Sequence, residues 1–274
     1  MSTPTGGLVL VGAGAMGQAL LAGALAAGTD PVRVQVIEAL PATAAAVAER
    51  YPVDVRTSPP AALPEGSLIV LAVKPQQVTA TLAGLAGRWP TAAALLSIAA
   101  GIPRSQLAAL VPPGVAVLRA MPNTAALVGR AVTGLVCGEE VPGWAQEAAR
   151  ALLAGVGTVV TVEEDQIDAL TVLSGSGPAY LFYLAESMID SGVALGLDRS
   201  LATQLTVDTL LGAATLLSRS PDEAVALRAQ VTSPGGVTQA VIETFAVAGL
   251  PALVQTALAR GHARSRELAQ DTRH

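Results

Sequence analysis

The sequence predicts an α/β protein in which a doubly wound, Rossmann-type parallel sheet is followed by an all-helical dimerisation domain. Three observations predict this fold class. The first part of the chain alternates short apolar runs with helix-like stretches, a glycine-rich turn follows the first run, and no convincing strand follows residue 162. Runs that are apolar throughout are typical of strands buried on both faces of a sheet.

The elements of the first part follow one another in a regular order. We predict strands at 8–11, 32–37, 68–73, 94–98, 115–118, 132–136 and 158–162, and helices at 16–27 and 42–50. Strands that alternate with helices in this way predict β-α-β units, because parallel strands need a crossover connection.

A change of pattern after residue 162 predicts a second domain. Thr161 and Glu164 have the spacing of a capping box, which marks a helix start. The same signature recurs at Ser220 and Glu223, with Pro221 at the first helical position. We therefore predict a dinucleotide-binding domain at 1–162 and an all-helical dimerisation and substrate domain at 163–274.

The helix predicted at 178–195 is too apolar for a surface helix. Its polar residues lie mostly on one narrow stripe: Tyr183, Glu186, Ser187, Asp190 and Ser191. A helix that is hydrophobic on nearly every side is usually buried. We expect other helices to wrap it, including helices of a second copy of the chain.

Composition excludes several classes of function. The chain has 274 residues, a formal charge of −5 and no run of Lys and Arg, which argues against nucleic acid as a partner. Its mean hydropathy is +0.53, yet no uninterrupted apolar run reaches the roughly 18 residues that a membrane-spanning helix needs. The N-terminus has no basic stretch before an apolar one, and a single cysteine, Cys137, fits a reducing compartment. We expect a cytoplasmic protein that does not bind membranes.

The turn after the first predicted strand has the pattern of a dinucleotide site, and we assign it to the cofactor: Gly12, Ala13, Gly14, Ala15, Met16 and Gly17. The first glycine allows the tight turn, the second lets the backbone approach a pyrophosphate, and the third lets helix and strand pack closely. The helix start then offers amides and a positive dipole to the phosphates. The alternative is a packing turn that binds no nucleotide.

Glu38 comes directly at the end of the second predicted strand, 26 positions after Gly12. A carboxylate at this point can accept hydrogen bonds from both ribose hydroxyls of NAD and would repel the extra phosphate of NADP. No Arg or Lys follows it in Ala39, Leu40 and Pro41. We predict that NADH is preferred over NADPH; the alternative is an ordinary solvated Glu in a loop.

Five further segments carry unusual residues at predicted strand ends or domain edges: AVKP at 72–75, SIAAGI at 97–102, RAMPNT at 119–124, LSGSGPAY at 173–180 and SPGGVT at 233–238. Each segment is short, but the set, in this order across nearly the whole chain, resembles the pyrroline-5-carboxylate reductase family. Two positions depart from that pattern, since Ala125 stands where a Pro is expected and Gln230 where an Asn is expected.

The resemblance implies reduction of L-1-pyrroline-5-carboxylate to L-proline by NAD(P)H. It implies a homodimer as the basic unit, with rings of dimers as a larger assembly. By similarity, the residues that surround the nicotinamide half of the cofactor are Ala72, Lys74, Ala100, Met121 and Asn123. Val73 and Pro75 of the same AVKP segment are also assigned to the cofactor. The substrate residues that it implies are Ser233, Gly235, Gly236 and Thr238, with the Thr238 hydroxyl bonded to the ring nitrogen.

The residue types in these segments are also consistent with the chemistry of imine reduction. A protonated cyclic imine is already electrophilic, so the reaction requires no metal, and the chain has only two histidines, His262 and His274, and no cluster of metal ligands. A hydroxyl such as that of Thr238 suffices to orient an iminium nitrogen. Gly235 and Gly236 free backbone amides for a carboxylate at a helix start; the alternative is that Ser233 and Pro234 simply begin a helix.

Two rival functions remain at this point. A β-hydroxyacid dehydrogenase or imine reductase of similar architecture would carry a catalytic Lys on the long helix, but Lys74 is the only lysine in the chain. A non-catalytic dinucleotide sensor would use the helical domain only to dimerise. Arg119 fits either a substrate carboxylate or a structural ion pair, and Cys137 fits a packed small side chain better than a nucleophile.

Overall fold

Short apolar runs form an eight-stranded sheet in the computed structural model, which describes residues 6–271. The strands are β1 (Leu8–Val11), β2 (Val34–Ile37), β3 (Asp54–Arg56), β4 (Ser67–Leu71), β5 (Ala93–Ser97), β6 (Ala116–Met121), β7 (Ala131–Cys137) and β8 (Gly157–Thr161). Their order across the sheet is β3-β2-β1-β4-β5-β6-β7-β8. The strand order reverses direction at β1, next to which the doubly wound folds bind their ligands.

Eleven α-helices lie within the described residues: α1 (Ala15–Ala26), α2 (Pro41–Arg50), α3 (Val78–Gly84), α4 (Arg104–Ala109), α5 (Gly143–Ala154), α6 (Ile167–Leu170), α7 (Gly177–Ala194), α8 (Arg199–Arg219), α9 (Ala224–Gln230), α10 (Val237–Val247) and α11 (Leu250–Asp271). A π-helical turn at Thr171–Gly175 connects α6 to α7. Every element after β8 is helical, which confirms the predicted change of pattern.

The central strands are buried on both faces. Every residue of β1, β4 and β5 is buried. On one face Leu20 and Leu21 of α1 and Leu153 of α5 pack in one apolar cluster, and on the other Leu82 and Leu107 belong to a second cluster. Each buried leucine of this kind stabilises the fold by roughly 1.5–3 kcal/mol. This two-sided burial explains why these strands are apolar apart from Ser67 and Ser97 at their ends.

The sheet differs from the prediction at the edge strand β3 and at β7, the last strand but one. The edge strand β3 was not predicted because it is short and polar; Gln35 Nε2 and Arg56 Nε both donate to Asp54 at 2.8 Å, and these two hydrogen bonds lower the pKa of the Asp54 carboxyl. The expectation of a wholly parallel sheet is wrong at β7, which runs antiparallel to β6. Only nine residues separate these two strands, which is too few for a parallel crossover.

The two predicted capping boxes are also wrong in register. Thr161 is the last residue of β8, and the helix start is capped by Glu163 and Gln166, whose side chain accepts the Glu163 N–H at 2.9 Å. At the second site α9 begins at Ala224 rather than Pro221, while the Ser220 hydroxyl accepts the Asp222 N–H at 3.0 Å.

The chain forms two compact units. The first comprises the described residues up to Ser176 and those from His262 onward, and the second comprises Gly177–Gly261. The first unit is therefore discontinuous in sequence, and Ser265 Oγ of its last segment donates to Asp168 at 2.7 Å. The predicted domain boundary between residues 162 and 163 stays a prediction.

The second unit exposes many large apolar side chains. α7 packs against α8, yet no residue of α7 is buried, and Phe182 and Tyr183 are 70% and 72% exposed. Other large apolar residues of this unit are exposed as well: Leu181, Leu205, Val207, Leu211, Leu216, Val237, Val247 and Leu253. An apolar surface of this extent marks an interaction site.

A search of the described residues for membrane spans finds no single helix that is both long and apolar enough. One broken pair reaches the required length and composition, namely Val237–Val247 followed by Leu250–Ala269, with a bend of 52° between them.

An ion pair between a buried arginine and a partly exposed glutamate joins the sheet to the first helical turn after it. Arg119 on β6 is 5% exposed, and its Nη1 donates to Glu164 Oε1 at 2.6 Å. Glu164 Oε1 also accepts the Arg104 N–H at 3.3 Å. The structure thus places Arg119 in an ion pair within the protein, which is the second of the two roles considered for it.

We expect Glu164→Ala to lower the free energy of unfolding by about 2–3 kcal/mol, because it leaves the buried Arg119 guanidinium without its carboxylate. Chemical denaturation at matched protein concentration measures the change. The control is Glu267→Ala, which breaks the exposed pair with Arg264 and should cost less than about 1 kcal/mol. Equal effects of the two substitutions would contradict a structural role for the pair of Arg119 and Glu164.

Candidate functional site

The turn between β1 and α1 brings the helix close to the sheet. Gly12 has φ +93°, which disfavours any residue with a side chain, and a Cβ there would lie 2.8 Å from the Ala72 carbonyl oxygen. A Cβ on Gly17 would lie 2.3 Å from the Gly12 carbonyl oxygen. Glycine is therefore required at both positions. Gly12 allows the tight turn, and Gly17 lets the helix pack closely, as the sequence pattern predicts.

Gly14 has no such packing reason. Its φ of −65° is open to any residue, and no atom lies within 4 Å of the place where its Cβ would stand. It is also the N-cap of α1, whose first turn has no side-chain cap and no acidic residue. The site therefore has an uncapped helix N-terminus and free space where a phosphate group would fit.

A cavity of about 460 Å³ opens beside this turn in the first unit. It brings together six of the predicted cofactor residues: Gly12, Gly14, Glu38, Ala72, Val73 and Lys74. Its other wall contains residues that sequence reasoning missed: Thr57, Pro59, Gln77, Ala80, Thr81, Gly84 and Leu85. These residues follow β3 or belong to the turn and helix after β4, where the sequence carries no dinucleotide signature.

Glu38 is buried against the glycine-rich turn rather than solvated. It is 8% exposed and lines the cavity. Its Oε2 accepts the Ala13 N–H at 2.7 Å, and its Oε1 accepts the Leu40 N–H at 2.9 Å. A carboxylate has about four acceptor positions, so two remain for ligand hydroxyls. The arrangement fits the ribose of a dinucleotide.

The remaining predicted cofactor residues do not line this cavity. Ala13 belongs to the turn itself, Ala15, Met16 and Gly17 belong to the start of α1, Pro75 follows β4, and Ala100, Met121 and Asn123 lie at or just after the carboxyl ends of β5 and β6. Asn123 is 8% exposed and is held within the protein. Its Nδ2 donates to the Ser174 carbonyl at 3.0 Å and its Oδ1 accepts the Val132 N–H at 3.3 Å.

The predicted substrate segment lies in the second unit, just before α10. The Gly235 N–H donates to Gln239 Oε1 at 2.6 Å and the Gly236 N–H to the Ser233 carbonyl at 3.0 Å. Both glycine amides therefore have acceptors within the protein, one in the first turn of α10 and one in the segment itself. The helix begins at Val237, so the alternative in which Ser233 and Pro234 begin it is wrong.

Thr238 differs from other helical threonines of this unit. The hydroxyls of Thr203, Thr215 and Thr244 each donate to the carbonyl four residues earlier. Thr238 stands in the first turn of α10, and none of the side-chain hydrogen bonds found in residues 6–271 uses its hydroxyl. It is half-buried. Its hydroxyl is thus available to a ligand.

Cys137 lies partly buried on β7. Burial raises the pKa of its thiol, and nearby Arg150 and Arg104 offset this only in part. A thiol whose pKa is raised is a poor nucleophile, which supports its interpretation as a packed side chain.

Comparison with known families covers both parts of the chain. Residues 164–268 match the family model described as pyrroline-5-carboxylate reductase dimerisation. Residues 8–101 match the model described as NADP oxidoreductase, coenzyme F420-dependent.

Individual relatives agree with these matches. The pyrroline-5-carboxylate reductase of Pseudomonas aeruginosa is 39% identical over 271 residues, covering 98% of each chain, and that of Mycobacterium leprae is 38% identical, covering 95% of this chain and 96% of the relative. A pyrroline-5-carboxylate reductase structure from Coxiella burnetii superposes with a TM-score of 0.87 at 31% identity, covering 96% of this chain and 98% of that one.

Fold and site together define a nicotinamide-dependent oxidoreductase with a Rossmann-type unit and a helical dimerisation region. More particularly, the chain belongs to the pyrroline-5-carboxylate reductase family, because its identity to curated members extends over nearly its whole length.

We expect Gly14→Ala to leave thermal stability nearly unchanged and to weaken NADH binding by about tenfold or more, because its methyl group would occupy the space for the phosphate. Gly17→Ala should instead lower the melting temperature, because its methyl group meets the Gly12 carbonyl. Cofactor fluorescence titration and thermal unfolding measure the two effects. Gly143→Ala, with open space around it, is the control, and unchanged binding in Gly14→Ala would contradict the assignment.

Proposed function

We propose that the protein reduces L-1-pyrroline-5-carboxylate to L-proline with NAD(P)H, acting on the CH–NH bond as the last step of proline biosynthesis. The observation that carries this proposal is the near-full-length identity to curated pyrroline-5-carboxylate reductases. The glycine-rich turn, its cavity and the uncommitted hydroxyl of Thr238 support it. The cofactor supplies the hydride when it is bound.

The first unit would hold that cofactor. The uncapped first turn of α1 would bind the pyrophosphate at Gly14, and the free acceptor positions of Glu38 would bind the ribose hydroxyls. For the nicotinamide half we propose the predicted set of Ala72, Lys74, Ala100, Met121 and Asn123, with Val73 and Pro75 as further cofactor contacts. The carboxylate of Glu38 supports a preference for NADH, since a 2′-phosphate would meet a buried negative charge.

The second unit would hold the substrate. We propose that the Thr238 hydroxyl bonds the ring nitrogen and orients the imine, and that it keeps a proton at this nitrogen as the reduced amine forms. The segment of Ser233, Gly235 and Gly236 would receive the substrate carboxylate at the start of α10, whose first turn has neither a side-chain cap nor an acidic residue. Because the two glycine amides are bonded internally, the N–H groups of that turn are the better donors.

The rival functions have less support. The chain has no lysine on α7, where a β-hydroxyacid dehydrogenase of this architecture would carry one. An imine reductase from Aspergillus terreus is similar in fold, with a TM-score of 0.52 at 23% identity, and this likeness concerns the fold alone. A non-catalytic dinucleotide sensor would have no use for an uncommitted hydroxyl at Thr238.

The helical region mediates homo-oligomerisation. We propose that the dimer is obligate, because a monomer would leave Phe182, Tyr183 and Val247 largely in water. Rings of dimers are the larger assembly that we propose, and the cytoplasm is the proposed compartment.

The function is tested by the rate of cofactor oxidation with L-1-pyrroline-5-carboxylate, measured separately with NADH and NADPH. We expect turnover with both and a kcat/KM at least about tenfold higher with NADH, which corresponds to about 1.4 kcal/mol. Six-membered cyclic imino acids serve as comparison substrates. Cofactor binding without turnover would favour the sensor, and a clear preference for NADPH would contradict the role of Glu38 in cofactor choice.

We expect Thr238→Ala to lower kcat/KM by roughly 100- to 1000-fold with little loss of NADH affinity, because the imine nitrogen loses its hydrogen-bond partner. Thr244→Ala is the matched control on the same helix, since its hydroxyl bonds the Ala240 carbonyl. Steady-state kinetics and cofactor titration separate the two effects. A Thr238→Ala rate equal to that of the control would remove Thr238 from the mechanism.

A further inference from the structure

We propose that Glu38 is a positioning residue that holds the glycine-rich turn in its phosphate-binding conformation before any cofactor arrives. This role is separate from its contact with ribose, and it couples the choice of cofactor to the affinity for the phosphate groups. The inference rests on the proposed cofactor role of this turn.

The hydrogen bonds of the turn carry the proposal. Ala13 is fully buried, and its N–H donates to Glu38 Oε2 at 2.7 Å. The carbonyl of the same residue accepts from Gln18 Nε2 at 2.8 Å. Gly12 N–H donates to the Ile37 carbonyl at 2.9 Å, immediately before Glu38 in sequence. The two peptide groups that precede Gly14 are thus held by hydrogen bonds, one to Glu38 after β2 and one to Gln18 in the first turn of α1.

The carboxylate itself is held in one position. Its second oxygen accepts the Leu40 N–H at 2.9 Å, and the backbone N–H of Glu38 donates to the Arg56 carbonyl at 2.9 Å on β3. A carboxylate anchored on both oxygens cannot easily turn away from an incoming 2′-phosphate. A residue introduced to accept NADPH would therefore also remove the only acceptor that the structure, within its described residues, gives to the Ala13 N–H.

Replacing Glu38 has two effects that change the affinity for phosphate in opposite directions. Removing a negative charge beside a phosphate site should strengthen phosphate binding by simple electrostatics. Removing the acceptor of a buried N–H should instead release the turn and weaken phosphate binding, because an unpaired buried donor is unfavourable. The two effects oppose each other, so the direction of the change identifies the role of Glu38.

The test uses reduced nicotinamide mononucleotide, which has a phosphate but lacks the adenosine ribose that Glu38 would contact. We expect Glu38→Ala to weaken its binding by about 5- to 20-fold, and Glu38→Gln, which retains one acceptor oxygen, to weaken it less. Glu49→Ala removes an exposed carboxylate from the following helix and should leave binding unchanged. Unchanged or tighter binding in Glu38→Ala overturns the proposal.

A second measurement needs no ligand. Amide hydrogen exchange in the segment that contains Ala13 should become at least about tenfold faster in Glu38→Ala and remain at the wild-type rate in Glu49→Ala. Equal rates in the two variants overturn the proposal even if the mononucleotide binds too weakly to measure. If Glu38→Ala does not fold, Glu38→Gln decides in the same way, with a smaller expected change. Neither measurement depends on reduction of the imine. Each can therefore refute the positioning role of Glu38 independently of the proposed function.

Discussion

The close approach of the first helix to the sheet is the constraint on which the cofactor site depends. Gly17 lets α1 lie against the Gly12 carbonyl, and Gly12 lets the chain turn beside Ala72 at the end of β4. If either position carried a side chain, α1 would move away from β1. The N-terminus of the helix, the open space at Gly14 and the carboxylate of Glu38 would then no longer meet at one edge of the sheet.

Most of the fold could be predicted because burial on both faces imposes a simple pattern. β1 is an uninterrupted apolar run with the predicted bounds, and β4 and β5 are apolar apart from one terminal serine each. The parts that could not be predicted are controlled by less regular forces. The edge strand β3 is held by side-chain hydrogen bonds to Asp54, and the antiparallel direction of β7 follows from a short connection after β6.

The candidate site was predictable where backbone geometry demands a residue type and less so elsewhere. Gly12 and Gly17 are required by φ or by close packing, so their spacing is informative on its own. Thr57 and Thr81 reach the cavity only because the strand order brings β3 and α3 beside β1 and β2. The bonding of Glu38 to Ala13 is a tertiary contact, and no spacing rule in the sequence predicts it. In the second unit, the internal bonds of Gly235 and Gly236 show that a glycine pair need not leave its amides free.

The division of the chain into units has a consequence for synthesis. The segment from His262 onward belongs to the first unit, and Ser265 in that segment bonds Asp168. Domains usually fold from the N-terminus as the ribosome adds about 5–20 residues per second. Here the Rossmann-type unit lacks its last helical segment until all of residues 177–261 have been made. The cofactor-binding unit is therefore completed only after the apolar helices of the second unit have been synthesised.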